Sequence, residues 1–154
     1  MSLEGRLGGV SAGLDLRGEW DGQAFRGRIG GYTAGQDVTV AAGGVGITGR
    51  VGGYTQGFDV SAQVEGHSLL MRLGGYIDGV DVRLDFTPDG AEGRYGSFTA
   101  GHDVHLRHFA SEVRGRFGGV SQGMDFRMAL GDVPFPLGVL LAVCAYRVWT
   151  LRQA

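Results

Sequence analysis

The chain has 154 residues, enough for one domain with a hydrophobic core, and its formal net charge is −2. A charge this close to zero creates no global field, which argues against nucleic acid as a partner. The single cysteine, Cys144, excludes an internal disulfide framework and favours a reducing compartment.

Residues 1–132 consist of six copies of a 22-residue unit. Each copy follows the pattern Arg-φ-Gly-Gly-(Tyr/Val)-x-x-Gly-x-Asp-φ, where φ is apolar, and copy five replaces the glycine pair with Gly96-Ser97. The repeated ionic residues are Arg6, Arg28, Arg50, Arg72, Arg94 and Arg116, and Asp15, Asp37, Asp59, Asp81, Asp103 and Asp125. A fixed period of this kind is the signature of a repeat architecture.

Each repeat predicts two β-strands. In copy two, an alternating segment ends at Tyr32 and a second one begins at Asp37, where Val38 and Val40 share one face and Thr39 lies on the other. Glycine at the second position of a short connection suits a tight hairpin turn. Six such hairpins predict twelve strands, each with an apolar and a polar face.

The turns also predict a register. Two-residue turns are expected at Ala34-Gly35 and its equivalents, and at Asp21-Gly22, Gly43-Gly44 and Glu65-Gly66 at the other end. These turns predict the ion pairs Asp15–Arg28, Asp37–Arg50, Asp59–Arg72, Asp81–Arg94 and Asp103–Arg116. Arg6 and Asp125 are then left on the first and last strands, so a sixth pair, Arg6–Asp125, is predicted at the seam of a closed barrel.

The apolar face contains two positions that are almost always glycine, which indicates close approach to the backbone. They are Gly5, Gly27, Gly49, Met71, Gly93 and Gly115, and Gly9, Gly31, Gly53, Gly75, Ser97 and Gly119. The approaching body is the segment 137–151: residues 137–146 are apolar all round, then come Arg147-Val-Trp-Thr-Leu151, and a helix that is apolar all round must be buried all round. Pro134 and Pro136 set its start.

We therefore predict an all-β protein with a single domain, 1–154. Residues 1–132 form a closed 12-stranded antiparallel up-and-down barrel, and a hydrophobic helix within 133–154 fills it. The alternative is a six-coil β-solenoid capped by the helix, and the apolar tail as a membrane anchor is another, although a span needs ~20 residues. The polar outer face excludes a membrane barrel.

Phe135-Pro136-Leu137 followed by an apolar helix is similar to the way phospholipid scramblases end. The whole layout resembles the tubby-like superfamily, which includes the scramblases and the plant LURP-one-related proteins. The resemblance implies a 12-stranded barrel with a hydrophobic C-terminal helix through its middle. It also implies a role at lipids or membranes.

No constellation in the sequence predicts catalysis. His102, His105 and His108 lie on a predicted strand, where their spacing does not converge on a metal ion. Cys144 lies among apolar residues, as a small buried hydrophobe does. The repeated aspartates are evenly spaced, which favours ion pairs or turn supports over an acid/base pair. We expect neither enzyme activity nor a cofactor nor a metal.

Aromatic residues recur just before the tight turns and predict a belt near one rim of the barrel. They are Tyr32, Tyr54, Tyr76 and Phe98. Such a belt suits docking on a membrane surface or a partner protein, and the alternative is cross-strand packing. We predict a non-enzymatic interaction or lipid-associated module, cytoplasmic because no signal peptide precedes the first repeat. The alternative is a structural repeat protein that assembles into fibres or coats.

Overall fold

The structure is a computed structural model that describes residues 2–9, 12–31, 34–43, 46–53, 56–75, 78–97, 99–119 and 123–153. Within these ranges the chain forms twelve strands and one helix. They are β1 (Leu3–Gly8), β2 (Gly13–Trp20), β3 (Ala24–Ile29), β4 (Gln36–Gly43), β5 (Gly46–Gly52), β6 (Gly57–Glu65), β7 (Ser68–Leu73), β8 (Val80–Thr87), β9 (Gly90–Tyr95), β10 (His102–Phe109), β11 (Glu112–Phe117), β12 (Met124–Ala129) and α1 (Phe135–Gln153). Two strands per repeat and a C-terminal helix are confirmed.

The twelve strands close into one barrel. Each strand pairs antiparallel with the strands before and after it in sequence, and β12 pairs with β1. Closure pairs both edges of every strand, which is how a barrel removes the free edges of a sheet. The predicted up-and-down barrel is confirmed, and a solenoid is not needed to explain the repeats.

The helix fills the barrel. Its side chains from Val139 to Tyr146 are at most 4% exposed, because inward-facing strand residues surround them. At the start of the helix, a Cβ built on Gly138 would overlap Leu130 and lie 3.1 Å from Met128 Cε, so glycine allows the helix to approach the wall here. The predicted all-round burial is confirmed for residues 137–146, whereas Leu151 at the end of the predicted segment is exposed.

The register of the strands differs from the predicted one. Arg28 lies opposite Asp37 within its own hairpin, since the connection between β3 and β4 spans residues 30–35 and not a two-residue turn. At the other end Glu65 pairs with Ser68, so the turn begins one residue later than predicted. The predicted pairs Asp15–Arg28, Asp37–Arg50, Asp59–Arg72, Asp81–Arg94, Asp103–Arg116 and Arg6–Asp125 are therefore wrong. The first and last strands do meet, but Arg6 faces Arg127 there.

The glycine positions also have a different physical reason from the predicted one. A Cβ on Gly27 or Gly49 would overlap a carbonyl oxygen of the neighbouring strand, so the barrel wall and not the helix requires glycine there. The second glycine set does not face inward, because the described members are exposed or half-buried and lie beyond the strand ends. The glycine before each of them has a positive φ, for example 89° at Gly52.

Candidate functional site

The C-terminal part of α1 lies against the connections at one end of the barrel. Arg147 Nη2 donates a hydrogen bond of 2.8 Å to the carbonyl oxygen of Asp78, between β7 and β8. Arg152 donates to the carbonyl oxygen of Ala34, between β3 and β4. We call this the helix-exit end; it carries the connections β1–β2, β3–β4, β5–β6, β7–β8, β9–β10 and β11–β12. The two arginines also suit the negative end of the helix dipole.

A ring of six ion pairs lies on the outer face of the wall, next to the connections of the helix-exit end. Their N···O distances range from 2.6 to 3.1 Å. The pairs are Arg6–Asp15, Arg28–Asp37, Arg50–Asp59, Arg72–Asp81, Arg94–Asp103 and Arg116–Asp125. All twelve predicted residues thus form ion pairs, with partners nine positions apart in sequence.

Each of these arginines also supports the connection that follows it. Arg50 Nη2 donates to the carbonyl oxygen of Gly53 at 2.8 Å, and Arg28 Nε donates to that of Gly31 at 3.1 Å. The same bond to the third residue beyond the arginine recurs in the other repeats. One guanidinium therefore joins two strands and orders a turn, which is a structural role.

An aromatic cluster anchors the helix at the same end. The Tyr146 hydroxyl lies 2.6 Å from His102 Nδ1, and its ring stacks on Phe117 with centroids 4.6 Å apart. Tyr95 packs edge-on against Tyr146 and has its hydroxyl 3.3 Å from Thr150 Oγ1. Burial, and then the proximity of Tyr95, raises the pKa of the Tyr146 phenol. The phenol therefore stays neutral and serves as a fixed hydrogen-bonding group.

The predicted aromatic belt lies outside the described residues, which include none of Tyr32, Tyr54, Tyr76 and Phe98.

The described part of this end adds an exposed apolar side chain, Leu151, which is 45% accessible. It also has a groove of about 570 Å³ on the outer surface, whose lining includes Arg28, Gln36 and Arg152.

The opposite end of the barrel has a different character. Its described connections contain Asp21, Asp89 and Asp132 and no arginine. The Asp21 carboxylate accepts hydrogen bonds from the backbone N–H groups of residues 24 and 23, which hold its pKa below the usual range. Val64 and Phe109 are about half exposed here, at 51% and 52%. This end therefore combines negative charge with two exposed apolar side chains.

The three histidines do not form a metal site. His102 is bonded to the helix as described, His105 lies 3.2 Å from a carboxylate oxygen of Glu92, and His108 stacks on Phe135 with centroids 4.3 Å apart. Among the residues that the structure describes, no three His, Cys, Asp or Glu side chains converge as metal ligands would. Each histidine has a separate packing or pairing role.

The described interior offers little chemistry. Ser68 is the only buried polar residue among those described, and it lies on the outer face of β7, where it donates to Asp85 at 2.6 Å. Cys144 is fully buried in the helix, and desolvation raises the pKa of its thiol to about 12. A thiol with such a pKa is neutral at physiological pH and unsuited to nucleophilic catalysis.

The helix is long and apolar enough to cross a membrane, with a mean hydropathy of 1.3 over Phe135–Arg152, yet 61% of this segment is buried inside the barrel.

Comparisons with family models, curated proteins and solved structures found no match. The class is therefore defined by the fold alone: a closed 12-stranded antiparallel barrel around a C-terminal helix. The resemblance to the tubby-like superfamily stays a prediction.

Proposed function

We propose that this protein is a non-enzymatic module that docks on a membrane surface through the helix-exit end of its barrel. The main observation in support is that the two ends of the barrel differ in their charged residues. The helix brings Arg147 and Arg152 to one end, next to Asp78 and an exposed Leu151. The described connections of the other end carry Asp21, which pairs with Arg26, and also Asp89 and Asp132, and they contain no arginine. Arginine attracts anionic headgroups and exposed apolar groups enter the interface, so one end favours a lipid surface and the other opposes it.

Two further features support a role for the outer surface. The interior is filled by apolar side chains of the helix and strands, so a ligand has to bind outside the barrel wall. The sequence also predicts a belt of four aromatic residues near one rim of the barrel, Tyr32, Tyr54, Tyr76 and Phe98. Tyrosine and tryptophan are enriched at membrane interfaces because they combine an apolar ring with a polar tip.

The helix itself serves as the core of the barrel and not as an anchor in this proposal. Its withdrawal would expose the inner wall to water, so burial inside the barrel competes with insertion into a bilayer. We place the protein in the cytoplasm, where an unpaired cysteine is stable. Assembly into fibres is less well supported, because closure of the barrel leaves no strand edge for edge-to-edge pairing.

The test is flotation of the full chain with vesicles of phosphatidylcholine alone and with added phosphatidylserine. Leu151→Glu is expected to abolish flotation, since it places a negative charge at the docking end. Phe109→Glu is the matched control, because it changes an equally exposed apolar residue at the opposite end. Absence of flotation with either composition, or an equal loss in both variants, would contradict the proposal. Filaments in electron micrographs of the purified protein would favour assembly instead.

A further inference from the structure

Four arginines lie directly opposite one another across four neighbouring strands. Arg107 on β10 faces Arg114 on β11, which faces Arg127 on β12, which in turn faces Arg6 on β1. Their sequence neighbours along the strands include the buried core residues, so the four side chains point outward from the wall. We call this set the arginine row. It lies on the side of the barrel, across the seam between the first and the last strand.

The arginine row has more positive charge than its surroundings neutralise. Like charges directly opposite each other on a sheet are destabilising. Asp15 lies 3.0 Å from Arg6, and Glu112 lies 3.0 Å from Arg114. In the part of the chain that the structure describes, Arg107 and Arg127 form no ion pair, and both are exposed. A bound anion would relieve the repulsion among the four guanidinium groups.

The wall beside the arginine row is concave. A groove of about 700 Å³ is lined by Arg6, Arg114 and Arg127 together with Asp15 and Asp125. Another of about 570 Å³ is lined by Arg107, Arg114 and Arg116 together with Asp103 and Asp125. Asp15, Asp103 and Asp125 each pair with a neighbouring arginine of the repeat, so they leave the charges of Arg107 and Arg127 in place. The linings include glycines, which are Gly8, Gly9 and Gly115 in the first groove and Gly115, Gly118 and Gly119 in the second. Arg114 lines both grooves, so one extended ligand can contact both.

The spacing of the row indicates the kind of anion. Neighbouring strands lie about 4.8 Å apart, whereas side chains on one face of an extended peptide are about 6.7 Å apart. The spacing of carboxylates along an acidic peptide therefore does not match the spacing of the arginines. Phosphate groups linked in a chain present several acceptor oxygens each, which two neighbouring guanidinium groups can share in bidentate contacts. We propose that the arginine row binds a linear oligophosphate.

The experiment measures binding of sodium tripolyphosphate to the full chain by titration calorimetry, at constant ionic strength. Arg127→Gln is expected to weaken binding by about tenfold or more, as loss of a charge-assisted hydrogen bond does. The matched control is Arg17→Gln. Arg17 is an exposed arginine of the outer wall that faces Arg28, lies outside the row and forms no ion pair within the described residues. The Arg17→Gln variant loses the same charge as Arg127→Gln. If the position of the charge matters, its affinity for tripolyphosphate should stay within about twofold of wild type.

Three comparisons decide between sources of the anion. Tripolyphosphate binding tighter than orthophosphate, with loss in Arg127→Gln only, supports the proposal. An equal loss in Arg17→Gln would show a general charge effect and overturn it. Tighter binding of poly-glutamate than of tripolyphosphate would overturn it in favour of a peptide. Absence of tripolyphosphate binding would also overturn it, and a loss of vesicle flotation in Arg127→Gln would then point to a lipid at the row. Arg127→Gln should float on vesicles as wild type does. The experiments can therefore contradict oligophosphate binding without contradicting membrane docking, and the reverse.

Discussion

The glycine pair of each repeat contains one glycine that the backbone requires and one that it does not. In repeat three, Gly52 has a φ of 89°, and a Cβ there would lie 2.5 Å from both Gln36 Oε1 and the carbonyl oxygen of Gln56. A Cβ on Gly53 would meet nothing within 4 Å. Copy five agrees, since it keeps Gly96 at the first position and has Ser97 at the second.

We therefore expect Gly52→Ala to lose stability and Gly53→Ser to keep it. A left-handed backbone conformation costs a non-glycine residue about 1–2 kcal/mol, and overpacking against neighbouring atoms costs about 1–3 kcal/mol more. Together these lower the free energy of unfolding of Gly52→Ala by roughly 2–5 kcal/mol. Gly53→Ser should stay within about 0.5 kcal/mol of wild type. Its hydroxyl can make the bond seen in copy five, where Ser97 Oγ accepts from the Ala100 N–H at 2.9 Å.

The assay is urea unfolding of both variants and wild type, followed by circular dichroism and by tryptophan fluorescence. Thermal scans should show a lower midpoint for Gly52→Ala by about 4–20 °C, given about 2–4 °C per kcal/mol for a chain of this size. Equal midpoints for Gly52→Ala and wild type would refute the reasoning. So would an equal loss in Gly53→Ser, because the second position would then be as constrained as the first.

Three further predictions concern the interior, the ion pairs and the first glycine set. The pKa of the Cys144 thiol rises from 9.0 to about 12 on folding, so the neutral thiol favours the folded state below pH 9. This contribution is lost as the pH rises from 9 towards 12, and wild type should lose more stability there than Cys144→Ala. Asp59→Asn removes an exposed pair with Arg50 and should cost at most about 1 kcal/mol, less at high salt, in urea titrations. Gly49→Leu should cost about 1–3 kcal/mol, because its Cβ would overlap the carbonyl oxygen of Thr39; a wild-type melting temperature would contradict this.

The strands and the helix could be predicted because their signals are local. Val38 and Val40 alternate with polar neighbours, and residues 137–151 have no polar face. Register depends instead on the lengths of the connections. Arg28 has Asp37 nine residues after it and Asp15 thirteen residues before it, and both lie on the polar face. The alternation fits either partner, and only the longer connection between β3 and β4 selects Asp37.

The arginine row could not be predicted for the same reason. Its members Arg107, Arg114 and Arg127 occupy three different positions of the repeat, and none of these positions is arginine in every copy. They become neighbours only in the observed register. A register with the correct connection lengths would have brought them together from the sequence alone, since the sequence separations of paired residues then repeat from hairpin to hairpin.

The repeats also show that the arginine row is not needed for folding. The residues equivalent to Arg127 in copies one to five are Arg17, Thr39, Ser61, Arg83 and His105. The same wall therefore forms with neutral side chains at this position. We predict that Arg127→Thr, which introduces the residue of copy two, does not lower the free energy of unfolding. It should raise it by up to roughly 1 kcal/mol, because it relieves repulsion with Arg6 and Arg114.

The same variant should lose its affinity for tripolyphosphate, so stability and binding should change in opposite directions. Thr39→Arg is the reciprocal variant, since it places an arginine between Arg26 and Arg50 at the equivalent position and so creates a row of three. It should lower the free energy of unfolding slightly, because it adds repulsion of the same kind. A less stable Arg127→Thr in urea titrations would mean that Arg127 supports the wall, and its excess charge would then need no ligand to explain it.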